Sequence, residues 1–131
     1  SKSKKNVIRG LHYQTKNKQF KLLYVAEGKI LDVAVNLKSN SKNFGKVFKF
    51  YLKEGDIIFI PKYYAHGFEC LTKTCRVIYH LGKYREPNFE GGIKYNDKKL
   101  KINWVTKRPV LSQRDKNHID FETFKKNIKS L

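Results

Sequence analysis

Methionine is absent from this 131-residue chain, and cysteine occurs only twice, as Cys70 and Cys75. A chain that begins at Ser1 and holds no methionine either has a processed start or belongs to a longer protein. The two cysteines lack Cys-x-x-Cys spacing and have no second pair, which excludes the common redox and zinc patterns. Two buried thiols in a reducing compartment are expected instead. No apolar run approaches the roughly 18 residues of a membrane span. Nor is there a basic start followed by an apolar stretch and a small-residue cleavage site. A cytoplasmic protein with no membrane partner is expected. Internal repeats and low-complexity tracts are also missing.

Arginine is scarce in a chain that is otherwise strongly basic. The net charge is +18, yet only five of the 29 basic residues are arginine: Arg9, Arg76, Arg85, Arg108 and Arg114. Arginine is the residue that forks onto phosphate and guanine. The lysines are spread along the whole length and do not gather on one helix. A nucleic-acid partner is therefore not expected, whereas a positive field that draws in an anionic substrate is.

Hydrophobic residues make up 40% and aromatics 14%, which argues against disorder. The length fits one domain over 1–131. Short strand-like runs dominate. "LLYVAEGKILDVAVNL" (22–37) reads as a hairpin around the turn signal Glu27-Gly28. In its second half Leu31, Val33, Val35 and Leu37 share one face, and Ile30, Asp32, Ala34 and Asn36 the other. A carboxylate on that less apolar face suggests a polar cavity. "KVFKFYL" (46–52), "IIFIP" (57–61) and "RVIYHL" (76–81) are further strands, the last with Val77, Tyr79 and Leu81 on one face. Closely spaced strands with turns between them predict an all-β sandwich or barrel. "DFETFKKNIKSL" (120–131) differs. Phe121, Phe124, Ile128 and Leu131 fall at helical spacing behind a potential N-cap at Asp120, so one amphipathic helix is expected on the outside of the β body.

"GDIIFIPKYYAH" (55–66) is the most specific pattern: Gly55, Pro61 and His66 resemble the second motif of the cupins, which are jelly-roll barrels with a pocket inside the strands. Tyr63 stands where that motif has a glycine. A metal of the first transition row needs three or four converging N, O or S ligands. His12 and His66 have no third partner in register, and His12 is followed by Tyr13 and Gln14. No metal and no other cofactor is expected.

"VIRGLHYQ", "GKILDVAVNL", "FIPKYYAHGF", "VIYHLGKYREPNFEGGIKYNDKKLKINW" and "LSQRD" follow one another in the order found in dTDP-4-dehydrorhamnose 3,5-epimerases, a sugar-nucleotide branch of the cupins. The resemblance runs from Ser3 to about Asp115. It implies a nucleotide-diphosphate sugar as substrate and a homodimer as the assembly. It assigns His12 as catalytic base, Asp115 as its carboxylate partner, Tyr79 as general acid on the other face of the sugar, and Lys21 as a group near the keto oxygen. Lys16 and Lys18 stand close to Lys21. The resemblance also implies that His66 lines the pocket, that Arg9 and Arg114 grip the diphosphate, and that Tyr84 and Glu90 form the rim.

These residue types suit the chemistry. A keto group at C4 acidifies the hydrogens on C3 and C5. A histidine held in one tautomer by a carboxylate can remove one. A fixed cation or donor can stabilise the enolate, and a tyrosine hydroxyl can return the proton from the opposite face. Arg9 and His12 are an odd number of residues apart, so a regular strand would point them to opposite faces. Either Gly10 introduces a bulge, or Arg9 serves a neighbouring subunit. His80 and His118 are expected on the surface, and Asp32 is expected either to brace the pocket or to act in it directly.

The family's strands upstream of the arginine–glycine motif, which contact the nucleotide, have no counterpart before "SKSKKNVIRG". The usual arginine beside Glu90 is Gly91. Alternatives that the residues leave open are a 3-epimerase alone, a ketoisomerase, and a cupin that binds a sugar nucleotide without turning it over.

Overall fold

A computed structural model describes residues 1–16, 18–82 and 87–129. Nine strands run in chain order: β1 (Lys2–Lys4), β2 (Ile8–Gln14), β3 (Lys21–Glu27), β4 (Lys29–Asn36), β5 (Val47–Lys53), β6 (Ile57–Ile60), β7 (Tyr64–Cys70), β8 (Thr74–Leu81) and β9 (Glu90–Gly92). Two helices follow, α1 (Gln113–Lys116) and α2 (Phe121–Lys129). The strands form a four-stranded sheet, β1-β8-β3-β6, and a five-stranded sheet, β5-β4-β7-β2-β9. Every strand pair within them is antiparallel.

The expected hairpin at 22–37 is not one. β3 pairs with β6 and β8, whereas β4 pairs with β5 and β7. The turn at Gly28 carries the chain from one sheet to the other. A Cβ at Gly28 would lie 2.4 Å from the Thr74 carbonyl, and its φ is +82°, so glycine suits this crossing.

Alternation in β4 then separates two cores. Ile30 joins Leu23, Val25, Phe68, Cys70, Cys75 and Val77 between the sheets. Leu31, Val33, Val35 and Leu37 face the other way, where Leu100, Phe121 and Phe124 cover the five-stranded sheet. β4 is thus buried on both faces, and both cysteines are buried free thiols. The α2 phenylalanines supply the cover, as the helical spacing predicts. Asp120 Oδ1 accepts from the Thr123 N–H at 2.8 Å. Leu131 lies outside the described residues.

Two buried carboxylates fasten the segment after β9. Glu69 accepts the Val105 and Thr106 N–H groups at 2.8 and 2.9 Å. Asp97 accepts from Phe121 N at 2.7 Å. Among the described residues no helix is long and apolar enough to cross a membrane.

Candidate active site

A cavity of about 820 Å³ opens between the sheets. Such a volume lies in the range of small-molecule sites, ~300–1,000 Å³. Arg9 and His12 reach it from β2, Lys21 from β3, His66 from β7, Tyr79 from β8, Glu90 from β9 and Arg114 from α1. Asp115 stands behind His12. Tyr84 lies outside the described residues.

The Arg9–His12 parity problem is solved by a bulge. The β2–β7 register shifts between these residues, and Gly10 has φ +121°. A Cβ at Gly10 would lie 2.7 Å from both the Gly67 Cα and the His66 carbonyl. Glycine is therefore required by both backbone conformation and space. Arg9 is also tied to β1: its Nε donates to Ser3 Oγ at 2.9 Å and its Nη2 to the Lys2 carbonyl at 3.3 Å.

His12 Nε2 lies 2.7 Å from Asp115 Oδ1. Ser112 caps α1, its hydroxyl accepting from Asp115 N at 3.1 Å. This short turn returns Asp115 to β2, where Oδ2 accepts from Gly10 N at 3.2 Å. Burial works to raise the Asp115 pKa. Hydrogen bonds from His12, Gly10 and His118, with the charge on His12, outweigh it and hold the carboxyl at about 2.

His118 corrects the expectation of a surface residue. Its Nε2 lies 2.9 Å from the same Asp115 Oδ1, and its side chain is only 9% exposed. Against the expectation that His12 and His66 lack a third potential ligand, two others stand close around His12, Asp115 and His118. Ligand atoms of His12, Asp115 and His118 all lie within 4.8 Å of one another. The sequence register along β2 and β7 could not reveal this, because two of the three arrive from the segment after β9. The 2.7 and 2.9 Å separations are hydrogen-bond lengths. Ligand atoms around a tetrahedral zinc stand roughly 3.3 Å apart, from zinc–ligand distances of about 2.0–2.2 Å.

A second pair lies deeper. His66 Nε2 is 2.6 Å from Asp32 Oδ1, with side-chain exposures of 2% and 0%. Asp32 thus braces a pocket residue, as its face of β4 suggests. Burial lowers the His66 pKa; nearby Lys21 and His12 add to this, and Asp32 opposes it. Burial thus favours the neutral imidazole. The Tyr79 ring stands edge-on to His66, 6.1 Å between centroids. Burial raises the Tyr79 pKa, and the Asp32 charge raises it further against the pull of Arg9. The phenol keeps its proton.

At the rim, Arg114 Nη2 pairs with Glu90 Oε1 at 2.6 Å. Gly91 beside it could not carry a side chain in place: a Cβ would lie 2.7 Å from the Tyr13 ring. Lys18 lines the cavity along with Lys21. Tyr63 lines it too, and keeps the left-handed backbone, φ +72°, that a glycine would favour.

Residues 1–123 match the family model described as dTDP-4-dehydrorhamnose 3,5-epimerase. The chain belongs to that family. The dTDP-4-dehydrorhamnose 3,5-epimerase of Salmonella typhimurium is 40% identical over 119 residues, 88% of this chain and 65% of the relative. This chain therefore spans just under two thirds of that epimerase. The crystal structure of the Elizabethkingia anophelis epimerase superposes with a TM-score of 0.90 at 36% identity, over 94% of this chain and 70% of that one. A Legionella pneumophila epimerase, solved in complex with dTDP-4-keto-L-rhamnose, gives 0.90 at 35% identity, over 93% and 66%. The two-sheet sandwich is the cupin-type jelly roll of these epimerases.

Proposed function

We propose that this chain epimerises C3 and C5 of a dTDP-linked 4-keto-6-deoxy sugar, in the cytoplasm, as a step in deoxysugar biosynthesis. The observation that carries this reading is the opposition of two groups across one cavity. His12, backed by Asp115, reaches in from the five-stranded sheet, and the protonated Tyr79 from the four-stranded sheet.

With Nε2–H donated to Asp115, the His12 lone pair is on Nδ1. That nitrogen takes the hydrogen next to the C4 carbonyl, and the C–H electron pair moves into the enolate. Asp115 steadies the imidazolium so formed. Lys21 stabilises the enolate oxygen, with the neutral His66 alongside. Tyr79 gives its proton to the same carbon from the other side, which inverts the centre. Arg9 and Arg114 hold the diphosphate, with Glu90 orienting Arg114. No step needs a metal or an organic cofactor.

A homodimer is part of the proposal. Leu22, Tyr24, Ile57, Phe59 and Ile78 are 37–61% exposed. They are neighbours on the outer face of the four-stranded sheet, since Leu22 pairs with Phe59, and Tyr24 with both Ile57 and Ile78. A contiguous apolar face of this kind suits a second copy.

The test is solvent exchange. Incubation with dTDP-4-keto-6-deoxyglucose in D₂O should bring deuterium into C3 and C5, read by NMR. Label at C3 alone would reduce the activity to 3-epimerisation. Label at neither carbon would leave a sugar-nucleotide-binding module and sink the catalytic reading.

A further inference from the structure

Asp115 depends on its side-chain hydrogen bonds for position. It sits on a helix of only four residues, Gln113–Lys116, N-capped by the Ser112 hydroxyl and C-capped by Asn117, whose N–H donates to the Arg114 carbonyl. Its Oδ2 has a single long hydrogen bond, 3.2 Å from Gly10 N. On its other side lies a smaller cavity of about 350 Å³, which Asp115 lines together with Lys94 and Lys116. Something must hold Oδ1 in place when His12 changes protonation state.

His118 is built to do that. Its Nε2 reaches Asp115 Oδ1 at 2.9 Å, three residues further along the chain. The ring has a dedicated seat: a Cβ at Gly92 would lie 2.3–2.4 Å from three of its atoms. It also stands edge-on to His12, with centroids 5.6 Å apart and an interplanar angle of 84°. His118 is not among the residues lining the large cavity. It reaches the chemistry through Asp115 and through the edge of the His12 ring.

We propose that His118 is a positioning residue for the epimerisation: it donates Nε2–H to the carboxylate oxygen that His12 uses, and so locks Asp115 on His12. This rests on the epimerase reading given above. Two imidazoles on Oδ1 act together with the Gly10 N–H on Oδ2 to fix the carboxylate. They also divide its charge, so that the pull on His12 depends on His118.

The experiment compares His118→Leu with His118→Gln, whose amide can donate from nearly the same place. His118→Leu should lower kcat about tenfold or more, the scale of a mispositioned catalytic group, with KM within twofold of wild type. His118→Gln should recover most of kcat. Carbon-detected NMR of the Asp115 carboxyl supplies a readout free of turnover. Its titration should move upward in His118→Leu, because a donor is lost, and return towards the wild-type value in His118→Gln. An unchanged kcat and an unchanged Asp115 titration in His118→Leu would overturn the proposal. So would a loss confined to KM, which would put His118 on the substrate. Failure of wild type to exchange deuterium would defeat the epimerase reading alone, and the carboxyl titration would still decide whether His118 clamps Asp115.

Discussion

His66 and Asp32 form a histidine–carboxylate pair shut away from solvent, 2.6 Å apart, in the same sheet that carries His12. Asp32 Oδ2 has no hydrogen-bond partner among the described residues. The buried carboxylate therefore depends on one imidazole. His66→Leu should destabilise the fold by about 2–4 kcal/mol, since it strands a buried charge. Asp32→Asn keeps an oxygen to accept the His66 N–H and should cost less. Urea unfolding of both variants decides; equal losses would mean that the pair acts only as packing.

Base and acid should fail in different ways. His12→Ala should abolish deuterium uptake at both carbons. Tyr79→Phe should leave exchange from the side of His12 but stop inversion. Equal residual epimerisation in the two variants, followed by NMR in D₂O, would show that the roles are wrongly divided.

Asp115 carries a pH signature. Its folded pKa, about 2, lies below the ordinary carboxyl value of 3.8. The folded state thus favours the ionised form, and the stabilisation is fully present above pH 3.8 and lost as pH falls towards 2. A shift of this size corresponds to about 2 kcal/mol. Wild type should exceed Asp115→Asn in stability at pH 5, where Asp115 is ionised. That margin should shrink between pH 4 and 3. A margin that does not change with pH in urea titrations would mean that the charge contributes nothing to stability.

Turnover should survive prolonged dialysis against a chelator, because His12 and His118 each stand at hydrogen-bond distance from Asp115. Recovery of a chelated, inactive sample by one divalent ion, and no recovery in buffer, would overturn this.

Much of the site was legible because strand period two maps directly onto faces. Leu31, Val33 and Val35 against Ile30 and Asp32 in β4 divided as the alternation predicts. The Glu27-Gly28 turn misled because its local chemistry specifies a reversal and not which strands pair. Pairing is set by strands distant in the chain: β7 begins 36 residues after Gly28 and β8 begins 46 after it. The bulge at Gly10 was legible as one of two options, and space around Gly67 selects it. His118 was not legible by strand register. Its meaning depends on where Asp115 lands, although Asp-x-x-His across one helical turn was the available signal. Tyr63, in left-handed backbone where the cupin motif has glycine, was legible only as a mismatch.

The hold of Glu69 on Val105 and Thr106 bears on the order of events during synthesis. The strand with His12 leaves the ribosome early, and all nine strands precede Asp115. Domains generally fold as units. Until the segment after β9 has emerged, the base lacks its carboxylate. The segment after β9 must then find the two acceptors that Glu69 has kept buried on β7, and only this docking brings Asp115 to His12. Catalytic competence is in this way a late event of maturation, one that a half-made chain cannot reach.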